Sequence, residues 1–417
     1  MPPQLYPAEA VLPGHPDKLC DAIADALVEE AARRERRALC GVEVSVHRAT
    51  VFVTGRIACL GAETIDVARI VREVFASAGY GEEWHPAPAD LRIETDLCLG
   101  PLAEGEAEFR DVSDDQSIVT GYAVDLPGTN YLPPEHWLAY RLARALARRR
   151  VEAPDLRLGP DGKVLVLCQE SAGAARLAGV SVSLQHADPA GEVELHRTVL
   201  GVVRDVLAEA ARAIPGFDPS VPDAVTVNGA GNFAVGGPSG DNGLSGKKLV
   251  ADAYGPRVPI GGGALSGKDF YKADRAGAII ARRLAKAVVL TGVAPECTAT
   301  VAFVPGAREA RIVSLRGEDG GELDATRWGG LLDLRLARIG ERYTSSVDLV
   351  EVAREGHFTD AGRPWEAVGF DAEVAKLRAR AHDYAEPGQA DATRLGSSSH
   401  RSRRCSETSS TLQIGPI

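Results

Sequence analysis

Between Asn228 and Arg275 the chain gathers residue types that handle phosphate. Gly236-Gly237-Pro238-Ser239-Gly240-Asp241-Asn242-Gly243 can be neither helix nor long strand, because glycine loosens the backbone and proline interrupts it. Lys247-Lys248 follows directly, and Gly261-Gly262-Gly263 then leads into Ser266-Gly267-Lys268-Asp269, with Lys272 and Asp274 beyond. Glycines let backbone N–H groups approach an anion, and lysines supply point charges for it. The interleaved Asp241, Asp269 and Asp274 would be odd neighbours for a bare anion. They make sense where hard divalent cations sit between carboxylates and phosphates.

Elements must bring these segments together. Pro16 suits the first position of a helix, and Leu19, Ile23, Leu27 and Val28 then share one face, predicting a helix to about residue 34. Strands follow at 41–46 and 51–58, a helix at 63–78 and a strand at 91–97. The order recurs as helix 135–149, strands 163–168 and 179–185, helix 192–213 and strand 224–227. It recurs again as helix 272–290, strands 297–303 and 310–315, and helical sequence over 325–342. Three such units predict an α+β protein of three similar domains, 1–125, 126–230 and 231–384, each a sheet with helices on one face. The uncovered faces must pack on something, and a homodimer would cover them. Residues 385–417 lack apolar periodicity and read as a disordered tail.

Composition narrows the partners. The 417-residue chain carries a net charge of −11, which argues against nucleic acid. Its 45% hydrophobic and 25% charged residues are those of an ordinary globular protein. Seven cysteines without CxxC spacing fit a reducing cytoplasm rather than a disulfide framework or zinc site. No apolar run reaches the ~20 residues of a membrane span.

The motifs resemble those of the S-adenosylmethionine synthetase (methionine adenosyltransferase) family. Gly14-His15-Pro16-Asp17-Lys18 is similar to its GHPDK, Asp115-Gln116 with Gly121-Tyr122-Ala123 to its DQG…GYA, and Pro160-Asp161-Gly162-Lys163 to PDAK. Gln185-His186 matches its QH pair. Gly236–Lys248 and Gly261–Arg275 resemble GGPxGDxGLTGRK and GGGAFSGKDxxKVDR, and Gly356-His357-Phe358 with Pro364-Trp365-Glu366 resembles GHF…PWE. The resemblance implies a pseudo-threefold arrangement of the three domains, a homodimer or dimer of dimers, and active sites shared between subunits. It implies that a thioether, methionine, attacks C5′ of ATP, and that the departing tripolyphosphate is cleaved to phosphate and diphosphate. By the same resemblance Lys163, Lys248, Lys268 and Lys272 bind phosphate, with Lys247 where an arginine is usual. Asp17 and Asp274 serve Mg²⁺, Glu43 a K⁺ site, and His15 the reacting oxygens. Phe233 stacks on adenine, and Asp115, Asp161 and Asp241 are further carboxylates on the nucleotide or substrate side.

One half of the pattern departs from the family. A glutamate that meets the substrate's ammonium is replaced by Arg56, Pro13 replaces the glutamate before GHPDK, and a glutamine-bearing gate loop becomes the shorter Leu99-Gly100-Pro101-Leu102-Ala103-Glu104-Gly105-Glu106. A unit charge pair ~4 Å apart is worth roughly 4 kcal/mol at an effective dielectric of about 20, so the reversal at Arg56 is not minor. Three readings follow: a methionine adenosyltransferase in which Arg56 points elsewhere or meets the carboxylate; a paralogue using a different thioether; or a non-adenosylating ATP-binding protein or tripolyphosphatase.

Overall fold

Pro16–Arg34 is the axis about which two of the sheets are tied together (α1). The computed structural model describes residues 3–368, apart from 172, 188–190, 319 and 329–331; the tail expected over 385–417 lies outside the described residues. His15 caps α1 with its own ring, Pro16 fills the position where a missing N–H costs nothing, and Asp17 meets the positive end of the helix.

The first unit comprises strands β1 (Gln4–Val11), β2 (Leu39–His47), β3 (Thr50–Ala58) and β4 (Arg92–Gly100), with helix α2 (Val67–Ala78) before β4. Helix α2 starts four residues later than the periodicity implies, because Asp66 caps it by accepting the Arg69 N–H. Then come β5 (Ser117–Val124), α3 (Pro134–Glu152), β6 (Leu158–Ser171), β7 (Ala174–His186), α4 (Glu192–Ala213), β8 (Phe217–Asp218) and β9 (Ala224–Val227). The last part holds β10 (Gly243–Leu244), α5 (Leu249–Asp252), α6 (Ala273–Leu290), β11 (Glu296–Phe303), β12 (Arg311–Arg316), α7 (Ala325–Trp328), α8 (Leu336–Tyr343) and α9 (Leu349–Glu355). The helix expected over 325–342 is thus two short helices, parted near Asp333, whose carboxylate accepts the Arg335 N–H and so favours a turn.

The three sheets exchange strands across the sequence. β1 joins β6, β7, β8 and β9; β10 joins β2, β3 and β4; β5 joins β11 and β12. Two hydrophobic cores result. One lies under β6 and β7 against α3 and α4, and the other is common to the two remaining sheets, α1, α2 and α6. Helix α6 is buried nearly all round, so its cations need partners. Arg275 forms a bidentate pair with Asp25 at 2.8 Å, while Arg282 and Lys286 share Glu366 at 2.9 and 2.8 Å. The His357 and Trp365-Glu366 motifs therefore anchor α6: His357 lies 3.0 Å from Arg275, and the Trp365 indole donates to the His357 carbonyl at 2.7 Å.

Each sheet keeps an open face. Leu165 and Leu167 on β6, Ile118 on β5, Val313 on β12 and Phe52 on β3 are exposed apolar side chains. Among the described residues no helix is long and apolar enough to cross a membrane.

Candidate active site

The first glycine-rich segment is held where α1 begins. Its anchors are three aspartates spaced by four, Asp17, Asp21 and Asp25, which an α-helix places on one face. Asp17 accepts the Leu244 N–H at 3.0 Å and the Lys248 ammonium at 2.8 Å, with Lys247 at 3.6 Å. Asp21 accepts the Gly246 N–H at 2.8 Å, and Asp25 accepts the Gly267 N–H at 2.9 Å. One helix face thus fixes both glycine-rich segments. The spacing stands open in the sequence, yet only Asp17 was singled out there.

The ring of His15 is 2% exposed and accepts the Asp17 N–H at Nδ1, 3.2 Å away, so the proton of the neutral ring resides on Nε2. Burial pushes His15 down to about 3, against the pull of Asp17 and with the help of Lys163 and Lys248. Burial would raise Asp17, but the Lys248 hydrogen bond and the Leu244 N–H outweigh it and the carboxyl titrates below its ordinary range.

Gly14 binds this group to β6. Its N–H donates to the Pro160 carbonyl at 3.2 Å, and a Cβ there would stand 2.4 Å from Pro160 Cβ, so only glycine fits. The β6–β7 register slips between Leu158 and Gly162, letting Pro160 and Asp161 bulge out of the ladder. Asp161 then accepts the Gly237 N–H at 2.7 Å, and burial lifts its carboxyl to about 6. Tyr80, not anticipated, donates to the Gly14 carbonyl at 2.6 Å. Lys163 is exposed on the open face of β6. Asp241 is exposed, close enough to act electrostatically on both His15 and Asp161. Half-buried Phe233 lies against Gly236, and its carbonyl accepts the His186 N–H at 3.0 Å.

The second glycine-rich segment forms a separate group against β2. Val42 N–H donates to the Gly267 carbonyl at 2.9 Å, and a Cβ on Gly267, at φ +84°, would strike the Val42 carbonyl at 2.3 Å. Lys268 pairs with Asp274 at 2.5 Å, whose other oxygen accepts from Ser117 at 2.6 Å. Lys272 pairs with Asp114, a partner the sequence reading did not name. Asp115, beside it, is exposed and accepts the Gln116 N–H. Glu43 is exposed on the outer face of β2.

His15, Asp17, Asp161, Lys163, Asp241, Lys247 and Lys248 therefore make one group, and Lys268, Lys272 and Asp274 another. Their attachment points, Asp17 and Asp25, are eight residues apart on α1, ~12 Å at 1.5 Å per residue. Among the described residues, no three or more His, Cys, Asp or Glu side chains converge as a metal site.

Arg56 is not a bare positive charge. Its guanidinium donates to both oxygens of Glu106, Nε at 3.1 Å and Nη2 at 2.8 Å, and this pairing holds Arg56 above and Glu106 below their ordinary values. The repulsion expected from reversing the charge at this position is offset by a carboxylate that the shortened segment itself provides.

Comparison with known proteins matches all three parts of the chain. Residues 3–95 match the N-terminal domain of S-adenosylmethionine synthetase, 110–233 its central domain and 235–367 its C-terminal domain. An S-adenosylmethionine synthase of Staphylococcus epidermidis is 31% identical over 391 residues, covering 87% of this chain and 95% of the relative. That of Desulforudis audaxviator is 32% identical over 400 residues, 88% of this chain and 97% of its own length. That of Clostridium tetani is 30% identical over 399 residues, 90% and 99%. With its three α+β sheet units and its motifs in order, the chain belongs to the S-adenosylmethionine synthetase family.

Proposed function

We propose that this chain is a methionine adenosyltransferase whose active site is completed by a second copy of itself. The methionine sulfur attacks C5′ of ATP, the C5′–oxygen bond breaks, and tripolyphosphate leaves and is hydrolysed to phosphate and diphosphate. Displacement at a primary carbon leaves the protein mainly to position the reactants and neutralise charge. His15 donates from Nε2 to the departing oxygen; as a neutral ring it does so without giving up its proton. Lys163, Lys247 and Lys248 of one subunit, with Lys268 and Lys272 of the other, spread the charge of the phosphate chain. Phe233 stacks on the base, and Asp115, Asp161 and Asp241 order the nucleotide side.

The donor set fits the family's metals. Asp17 and Asp274 are single carboxylates rather than a closed cage, as suits Mg²⁺, which takes one or two carboxylates plus phosphate oxygens. Glu43 would hold K⁺ on the open face of β2. When bound, Mg²⁺ neutralises charge on the leaving group.

The observation that carries the shared site is the division of the lysines into two groups fixed ~12 Å apart on α1, with Lys163 and Glu43 on open sheet faces that also expose apolar side chains. A twofold partner laid on those faces would bring each group opposite its complement. Free cysteines, six among the described residues, fit the reducing cytoplasm, where we place the activity.

The test incubates the protein with ATP, Mg²⁺, K⁺ and methionine and identifies products by mass spectrometry. His15→Ala and Lys268→Ala, each inactive alone, are then unfolded together and refolded. Shared sites give half heterodimers with one intact site each, restoring about a quarter of the wild-type rate. A mixture as inactive as its components rules out the shared site, and absence of S-adenosylmethionine from the wild type rules out the reaction.

A further inference from the structure

Where β1, α3, α5 and α9 meet, the chain leaves a cavity of about 270 Å³ that the phosphate chemistry does not use. Helix α3 supplies one wall. Tyr140, Ala143, Arg144, Ala147 and Arg148 recur at three and four residues, so they form one stripe of the helix. Ala10 and Val11 of β1 and Ala251 of α5 line the space with it. Alanines at these positions keep it open, since larger side chains would fill it.

The charges around the cavity do not cancel. Lys18 is matched by Asp252, and Arg144 Nη1 lies 3.0 Å from Glu355 Oε2. That second contact is not a hydrogen bond. Glu355 Oε2 is buried without one, and among the described residues Arg144 donates only to the Tyr140 hydroxyl, at 2.6 Å. Arg148 is exposed and forms no ion pair among the described residues. Arg354 donates to the Val74 carbonyl at 3.2 Å and the Ser77 hydroxyl at 2.6 Å, while its Nε is buried with no partner. Two guanidiniums in excess, beside an alanine floor, suit an anion with an apolar body.

We infer that this cavity is an effector site for a small organic acid, a carboxylate on an apolar body, and that its occupant supports the ATP half of the active site. An engineered cavity of about 150 Å³ holds benzene. The larger space here takes a ring, a short chain and a carboxylate, with the ring on the alanines and the acid at Arg148 and the free donors of Arg144. A bare anion gains nothing from the alanines, and an amine meets the guanidiniums. The occupant also touches the supports of the catalytic groups. Pro13 lines the cavity directly before Gly14 and His15. Asp252 ends the helix that starts after Lys248, and its N–H donates to the Lys248 carbonyl at 2.9 Å. Lys18 ties Asp252 to α1 and reaches Asp21 at 3.3 Å, which holds the Gly246 N–H. Filling the cavity therefore favours the arrangement that presents His15 and Lys248, and the linkage is reciprocal: acid and ATP tighten each other by one factor.

The site goes beyond the adenosyltransferase reading, and its test needs no turnover. The full chain is titrated calorimetrically with 3-phenylpropanoate, with acetate, and with 3-phenylpropylamine. The aryl acid should bind saturably at one per chain, and the other two should not bind at the same concentrations. Arg148→Glu should weaken the acid roughly 10- to 100-fold, Ala147→Phe should abolish its binding by filling the space, and Lys268→Ala should leave it unchanged. Saturation with the acid should lower the Kd of ATP. Absence of saturable binding, or binding that survives both Arg148→Glu and Ala147→Phe, would overturn the site. Displacement of the acid by ATP would place it in the active site instead, and an ATP affinity unmoved by the acid would overturn its role as an effector.

Discussion

Replacing His15 by asparagine tests whether this ring works as a neutral donor or as an acid. At a value of about 3, fewer than ~1 in 10³ rings are protonated at pH 7, too few for imidazolium to be the working form. The Asp17 N–H already occupies Nδ1, which leaves Nε2–H as the free donor. Losing one preorganised donor to a developing oxyanion costs ~10²- to 10³-fold in kcat, which His15→Ala should show. Asparagine retains an N–H and should recover part of it. The stability of the two proteins should also diverge with pH. A histidine whose folded value lies below its unfolded value, ordinarily 6.5, costs stability as pH falls from 6.5 toward 3. At ~1.4 kcal/mol per unit, wild type should lose about 2 kcal/mol at pH 5 relative to His15→Asn. Urea unfolding at pH 7 and pH 5 measures this, and product formation from pH 5.5 to 8.5 measures the rate. An inflection of kcat near 6.5 that disappears in His15→Asn, or equal pH sensitivity of the two proteins, would refute the neutral-donor assignment.

Two further outcomes follow from close packing and from buried charge. Gly14→Ala places a methyl 2.4 Å from Pro160 Cβ and 2.5 Å from its carbonyl, so the His15 and Lys163 segments must separate. Overpacking of this kind costs about 1–3 kcal/mol, and steady-state kinetics should show a fall in kcat larger than the stability loss seen by denaturation. Asp25→Ala removes both oxygens from Arg275 and the acceptor of the Gly267 N–H, all buried. Breaking such a pair costs about 3–5 kcal/mol, and a thermal midpoint within a few degrees of wild type would show that Arg275 finds another partner.

Local signals were readable along much of the chain, and long-range ones were not. Helix 192–213 and strand 224–227 stand as their periodicity implies, because each buries one face against a neighbour within its own unit. Strand β1 is legible only as an extended, proline-punctuated stretch, since prolines at 3 and 7 and an irregular burial pattern conceal its alternation. Neither β5, which begins amid aspartates, nor α9, at seven residues too short to show a period, is legible at all. Nothing local says that β1 pairs with β6 or β5 with β11, as these partners lie more than a hundred residues apart. The site divides the same way. Lysines beside glycines declare a phosphate by composition alone, and the aspartates of α1 could have been found by their spacing of four. Arg56 looked like a repulsive charge because its counter-ion is fifty residues away, on a segment whose shortening alone was visible. A charge reversal read from sequence is informative only once its partner is known, and here the partner is Glu106, which neutralises Arg56 from the segment after β4.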